Sequence, residues 1–242
     1  MRRLGLIGGM SAESTTTYYQ LLNQGVRARL GGLHSAELLL WSVDFAPIAQ
    51  LQAAGDWARA GAQLAQAAHV LERAGAEAVL ICANTMHLEA DEVAAAISVP
   101  LIHIGDATAQ ALTALEVKRP LLLATRFTME ETFYRDRLEH YGLEPMIPGE
   151  GARERLHAII YDELCQGVID VGSRTAVMAI IERGRAEGAD SVIFGCTELG
   201  LLLEADAVGL PVVDSALAHV NAALAFALAD QSPQGRAATP NR

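Results

Sequence analysis

Short apolar runs and longer segments of helical period take turns along this chain. The runs Leu4–Ile7, Glu37–Ser42, Ala78–Cys82, Leu101–Ile104, Leu121–Ala124, Ser191–Gly195 and Val212–Val213 predict strands. Most are apolar at consecutive positions, the pattern of strands buried on both faces of a parallel sheet. Between them lie stretches such as Asp56 to Ala74, which repeats its apolar positions with a helical period and is closed by Gly75. Such alternation predicts an α/β fold built from βα units. The segment from Gln231 to Arg242 has no periodicity, is rich in Pro, Gly, Ser and Ala, and is expected to be disordered.

The pattern also repeats itself. Residues 74–85 (AGAEAVLICANT) read in parallel with residues 187–198 (EGADSVIFGCTE), and Gly188 follows Gly75 by 113 positions, as does every other pair. Each copy runs from a helix stop through an acidic turn and a strand to a small polar loop. Downstream, Val99-Pro100-Leu101-Ile102 echoes Leu210-Pro211-Val212-Val213. Upstream, the opening strand with Met10-Ser11 and Tyr18-Tyr19 echoes Leu122–Thr125 with Phe133-Tyr134. The reading is two similar Rossmann-like α/β domains related by a pseudo-two-fold, residues 1–106 plus 214–230 and residues 107–213. Ligands of open parallel sheets sit beyond the carboxyl ends of the strands. Two facing halves therefore bring residues 83–85 and 196–198 to one cleft.

Composition narrows the chemistry. With 242 residues, 51% of them hydrophobic, the chain is long enough for real cores. A formal net charge of −11, with Lys118 the sole lysine, argues against a nucleic-acid surface. No apolar run approaches the roughly 20 residues that span a bilayer. Met1-Arg2-Arg3 passes directly into an apolar strand and Gly8-Gly9, which reads as a first strand and turn and not as a signal peptide. Three cysteines, Cys82, Cys165 and Cys196, lack metal-ligand or CxxC spacing and read as reduced thiols of a cytoplasmic protein. Gly8-Gly9 lacks the rest of a dinucleotide fingerprint, so no nucleotide cofactor is expected.

Cys196 ends a predicted strand and precedes Thr197 and Glu198. A thiol facing a loop or helix start is expected to have its pKa lowered by backbone amides, whereas a buried cysteine is ordinarily a small hydrophobe. Glu198 reads as an orienting group for the thiol or as a first-turn helix acid. Met10, Ser11, Asn84, Thr85, Thr197, Thr125 and Thr128 offer donors to a substrate carboxylate, or serve turns and caps. Arg126 reads as a partner for a side-chain carboxylate or as a solvated charge. Gln52 and Asp44, near the loop after the second strand, are further candidates. Cys165 falls on a helical pattern that reads as structural and borders the cleft.

Four motifs fall in order over nearly the whole chain: Gly8-Gly9-Met10-Ser11, Asn84-Thr85-Met86-His87, Thr125-Arg126-Phe127-Thr128 and Gly195-Cys196-Thr197-Glu198. Together they resemble the aspartate/glutamate racemase family, in particular the subgroup of broad-specificity and L-aspartate/L-glutamate-specific amino-acid racemases. The resemblance implies an isomerase that needs no pyridoxal phosphate and uses a thiol from each half, one removing the α-proton and the other returning a proton to the opposite face. It also implies a homodimer and a role for His87, which otherwise reads as a backbone-bonded helix-start histidine. The family's expected motif is Cys-Asn-Thr, but Ala83 precedes Asn84 here, at the position of the first acid/base residue, where relatives can also carry threonine. Cys82 lies one position earlier, pairs with Gly195 in the repeat, and is expected to face the other side of the strand.

Several readings follow from Ala83, because alanine neither accepts nor donates a proton. The chain is a racemase whose second proton comes from water or another group, a related single-cysteine enzyme, or a site disabled by evolution or engineering. Arylmalonate decarboxylases are relatives with one cysteine on the second half and a small residue at the position of Ala83. A non-catalytic amino-acid binder is the reading from another class. The substrate under the leading reading is a small acidic or broadly chosen amino acid.

Overall fold

The computed structural model describes residues 1–196 and 198–230; Thr197 and the segment 231–242, with the expectations placed on them, lie outside the described residues. In chain order, β1 (Leu4–Gly8) leads through α1 (Ala12–Leu30), β2 (Leu38–Ser42), α2 (Phe45–Ala54) and α3 (Trp57–Arg73) to β3 (Ala78–Ile81). A 3-10 turn (Thr85–Glu89), α4 (Ala90–Ala95) and α5 (Ile104–Ala114) carry the chain to β4 (Pro120–Leu123). Next come α6 (Arg126–Glu130), α7 (Thr132–His140), α8 (Glu150–Ala158), a π-helical turn (Ile159–Glu163) and α9 (Val171–Ala186), followed by β5 (Ser191–Phe194). The last elements are α10 (Leu199–Leu202), β6 (Val212–Asp214) and α11 (Ser215–Ala227).

The strands form two parallel three-stranded sheets, in the orders β2-β1-β3 and β4-β5-β6. This is the α/β class with two similar parallel sheets expected from the repeat. The repeat carries through to the backbone. Gly75 and Gly188 both end their helices at positive φ, +98° and +101°, a region that favours glycine. The amides of Val79 and Val192 both bond the carbonyl of a proline, Pro100 and Pro211, at 2.9 Å. Cys82 N–H donates to Ile7 O at 2.9 Å, as Gly195 N–H does to Leu123 O at 2.8 Å.

Alternation along the strands sorts the first core into two faces. Leu4, Leu6, Ala78, Leu80 and Cys82 pack with Tyr18 of α1 and with Val220 and Leu224 of α11. Ile7, Val79 and Ile81 pack with α3, and Ala83 borders that cluster. A separate cluster surrounds β4 and β5. Glycine is needed at position 195, because a Cβ there would lie 2.9 Å from that of Ala124.

One expected strand is absent. Of Leu101–Ile104, only Leu101 bridges to Val79. His103 instead caps α5, its Nδ1 accepting from Gly105 N–H at 3.0 Å, so helix initiation takes over two residues after Leu101.

Candidate active site between the two sheets

The strand ends of both sheets face one cleft, lined among others by Met10, Gln52, Ala83, Asn84, Thr85 and Thr125 from the expected set, together with Cys196 and Glu198. Cys196 is 8% exposed and Glu198 3%. The Cys196 thiol donates to Glu198 Oε2 at 2.8 Å. The other carboxylate oxygen, Oε1, lies 2.6 Å from the hydroxyls of Ser11 and Ser14, both of which donate to it. Ser11 is the N-cap of α1, its Oγ accepting from Ser14 N–H at 3.1 Å. The start of a 19-residue helix thus faces the carboxylate, an arrangement favoured by the helix dipole.

The thiol's acidity runs against the sequence expectation. Burial pushes the Cys196 pKa well above its ordinary value, and the adjacent Glu198 carboxylate pushes the same way. The following helix, α10, has four residues and offers little opposing dipole. Cys196 therefore rests as a thiol, with a carboxylate in place to take its proton.

The loop of the first half has the same scaffold with different side chains. Adding 113 to 85 gives 198, so Thr85 stands where Glu198 stands in the repeat. Its Oγ1 lies 2.9 Å from Thr125 Oγ1 and 3.1 Å from Thr128 Oγ1. Thr125 caps α6 by accepting from Thr128 N–H, as Ser11 caps α1. Each loop is therefore gripped by paired hydroxyls from the capped helix of the opposite half. Thr128 and Ser11 stand behind the cleft wall, whereas Thr85, Thr125 and Ser14 reach it.

Ala83 occupies the place of Cys196. Its carbonyl accepts from His87 Nδ1–H at 2.8 Å, and His87 Nε2 accepts from Ile104 N–H at 3.2 Å. With both ring nitrogens engaged and burial holding its pKa well below the usual value, His87 is a neutral buttress outside the cleft lining. Asn84 donates to Ser215 Oγ at 3.0 Å, and its buried Oδ1 has no partner. Cys82 is fully buried, belongs to the apolar cluster with Tyr18 and touches the cleft floor; burial raises its pKa strongly.

Gln52 spans the halves, donating to Met86 Sδ at 3.1 Å and accepting from Tyr161 O–H at 3.2 Å. Tyr161 sits on the π-helical turn, an irregularity often found at functional sites. Cys165 also lines the cleft, its thiol pushed up to about 12 by burial and by Glu198. Two candidates lie elsewhere. Asp44 caps α2, accepting from Ala46 N–H at 3.2 Å. Arg126 pairs with Glu130 at 3.9 Å and covers the Phe127 ring, so its guanidinium is a surface charge. Sequence reasoning missed Ser14, Phe45 and Ile160 as cleft residues, whereas the stretch from Tyr161 to Cys165 was expected at its border. The Ser11-x-x-Ser14 spacing carried a signal for Ser14; a π-helical turn leaves no pattern to read.

Known proteins share this fold. The model of the Asp/Glu/hydantoin racemase family matches residues 7–223. A solved structure from Yersinia pestis, assigned provisionally as an Asp/Glu racemase, is 49% identical with a TM-score of 0.88, covering 94% of this chain and all of that one. An aspartate racemase homologue from Pyrococcus horikoshii OT3 is 35% identical with a TM-score of 0.82, covering 94% and 99%. The broad specificity amino-acid racemase RacX of Bacillus subtilis is 24% identical over 162 residues, 67% of this chain and 70% of its own length. The match of family model, sequence and fold over nearly the full length places the chain in the Asp/Glu/hydantoin racemase family.

Proposed function

We propose that this chain is an amino-acid racemase that inverts the α-carbon by proton transfer through Cys196, without a cofactor. The observation that carries the reading is the buried Cys196–Glu198 pair, with Ser11 and Ser14 donating to the carboxylate's other oxygen. Glu198 takes the Sγ proton, and the thiolate so formed takes the α-proton from one face of the substrate. Thr85, Thr125 and Asn84 offer donors to the carboxylate that gains charge as the α-carbon loses its proton. The α-carbon is then reprotonated from the Ala83 side by water, since that residue brings no acid of its own, and the hydroxide left behind takes back the proton held by Glu198 and so restores the carboxylate. Pyridoxal phosphate chemistry would need a Schiff-base lysine; Lys118 instead bonds Gly142 O at 2.9 Å and lies outside the cleft lining.

Exchange of the α-proton for deuterium in heavy water, followed by NMR over a panel of amino acids, tests the reading. Exchange should be present in the parent and absent in Cys196→Ala. Ala83 itself favours a second reading, a single-thiol decarboxylase in which Cys196 protonates the carbanion left by carbon dioxide. Carbon dioxide released from substituted malonates, and lost in Cys196→Ala, would select it. A chain that binds an amino acid, seen as a rise in melting temperature, and exchanges none would be a binder only.

The same reading takes residues 1–106 with 214–230 as one lobe and 107–213 as the other, in keeping with the packing of α11 on α1. It also takes the protein as a cytoplasmic homodimer. Leu40 and Trp41 on the edge strand β2 are 50% and 44% exposed and suit a two-fold contact; light scattering measures the mass. Among the described residues no helix is long and apolar enough to cross a membrane.

A further inference from the structure

Aspartate and glutamate carry a side-chain carboxylate that a small buried site must neutralise. Among the described residues, no lysine or arginine lines the cleft. The arginine best placed by sequence, Arg126, is committed to Glu130 and to the Phe127 ring at the surface. One carboxylate, Glu198, is already inside and almost fully buried. A second buried anion without a cation is strongly disfavoured. The proton equilibria agree: burial raises the pKa of Cys196, Cys165 and Tyr161, all cleft groups whose ionisation would add negative charge.

The rest of the lining is neutral. Gln52 and Tyr161 present an amide and a phenol, flanked by Phe45 and Ile160. The Gln52 amide N–H is given to the sulfur of Met86, a weak acceptor, so a substrate carbonyl can take it over. An amino acid with an uncharged side chain enters as a net-neutral zwitterion, its carboxylate met by the Thr85, Thr125 and Asn84 donors. The acidic amino acids bring a net charge of −1 to a chain that already carries −11.

Resting on the proton-transfer reading above, we infer that the substrates of this cleft are amino acids with uncharged side chains, glutamine and asparagine among them, in preference to glutamate and aspartate. Each amide and its acid have nearly the same shape and differ in charge, so the pairs isolate the term at issue. The experiment measures α-proton exchange in heavy water and melting temperature for glutamine against glutamate and asparagine against aspartate, with methionine as an apolar comparison. At least one amide should exchange about tenfold or more faster than its acid, a difference near 1.4 kcal/mol, and raise the melting temperature where the acid does not. Gln52→Arg, which brings a cation to the wall, should narrow or reverse the preference. Glutamate and aspartate both exchanging as fast as their amides, or both stabilising the protein as much, overturns the inference, as does failure of every neutral amino acid to bind. Amides that stabilise the protein without exchanging leave the substrate class standing and sink the racemase reading, so the two fail separately. The native protein decides the matter even if Gln52→Arg does not fold.

Discussion

The two strand-end loops of this molecule are the same device carrying different chemistry. In each, the strand ends in a hydrogen bond to the neighbouring strand, and the residue two places after Ala83 or Cys196 is held by paired hydroxyls from beside the other sheet. The second loop fills this frame with Cys196 and Glu198. The first fills it with Ala83 and Thr85, and a neutral histidine locks the Ala83 carbonyl. The comparison teaches that the frame and the side chains it carries are separable: hydroxyl clamps hold both loops alike, and on the racemase reading proposed above the residues at 83 and 196 decide which face of a substrate is served.

Removing the thiol tests the difference most severely. Cys196→Ala should lower α-proton exchange by roughly 10³-fold or more, the scale of losing the group that moves the proton. The melting temperature should change little, since the serines and Glu198 can keep their bonds. Exchange surviving in this variant would move the chemistry to another group. Glu198→Gln ranks second. It keeps the size and the hydroxyl contacts but leaves the thiol, whose pKa is already raised by burial, without a base. Exchange should fall by about 10²-fold, and what remains should climb with pH as the thiol ionises on its own. A variant with parental rates near neutral pH would reduce Glu198 to a structural acid.

Copying the second loop into the first is the next step down. Ala83→Cys should raise racemisation about tenfold, because a positioned donor replaces delivery from solvent. The gain stays modest because Thr85, unlike Glu198, is no carboxylate to deprotonate the new thiol. Cys82→Ala in the same background should leave the rate unchanged, since Cys82 packs in the apolar cluster on the other face of the strand. If Cys82→Ala abolishes activity while Ala83→Cys changes nothing, the pairing of Ala83 with Cys196 is off by one residue.

These loops were legible in the sequence because a duplicated backbone repeats its punctuation. Gly75 and Gly188, and Pro100 and Pro211, recur for local reasons that survive the divergence of their neighbours. Most strands were legible because burial on both faces makes them apolar throughout. Leu101–Ile104 was misread because His103 acts through a cap, and a histidine announces a cap less plainly than Asp214 does at the start of α11. The direction of the Cys196 pKa was misread for a different reason. It depends on how deeply Glu198 and the thiol are buried together, a tertiary quantity. The contacts of Ser14 with Glu198 and of Tyr161 with Gln52, which join residues 184 and 109 positions apart, are likewise visible only in the folded chain.

The smallest expected effect concerns acid, and it turns on the caps that follow the two copies of the repeat. His103 and Asp214 are equivalent caps, each accepting the amide two residues on, for α5 and α11. His103 faces His87, Asp106 and Arg137 around the same helix start, and burial with the nearby Arg137 charge lowers its pKa to about 3. His219, between Tyr18 O–H and the Ile102 carbonyl, is lowered to about 4 by burial. Both rings are neutral in the fold and would take up protons near pH 6.5 once unfolded. Between about pH 6.5 and 4 the unfolded chain therefore binds more protons, so stability is full above this window and is lost as pH falls through it. The melting temperature should drop by several degrees or more over that range. His219→Gln, which keeps an amide for one of the two neighbours and cannot titrate, should start lower at neutral pH and fall less steeply. Equal slopes in parent and variant would mean that the acid sensitivity arises elsewhere than at His219.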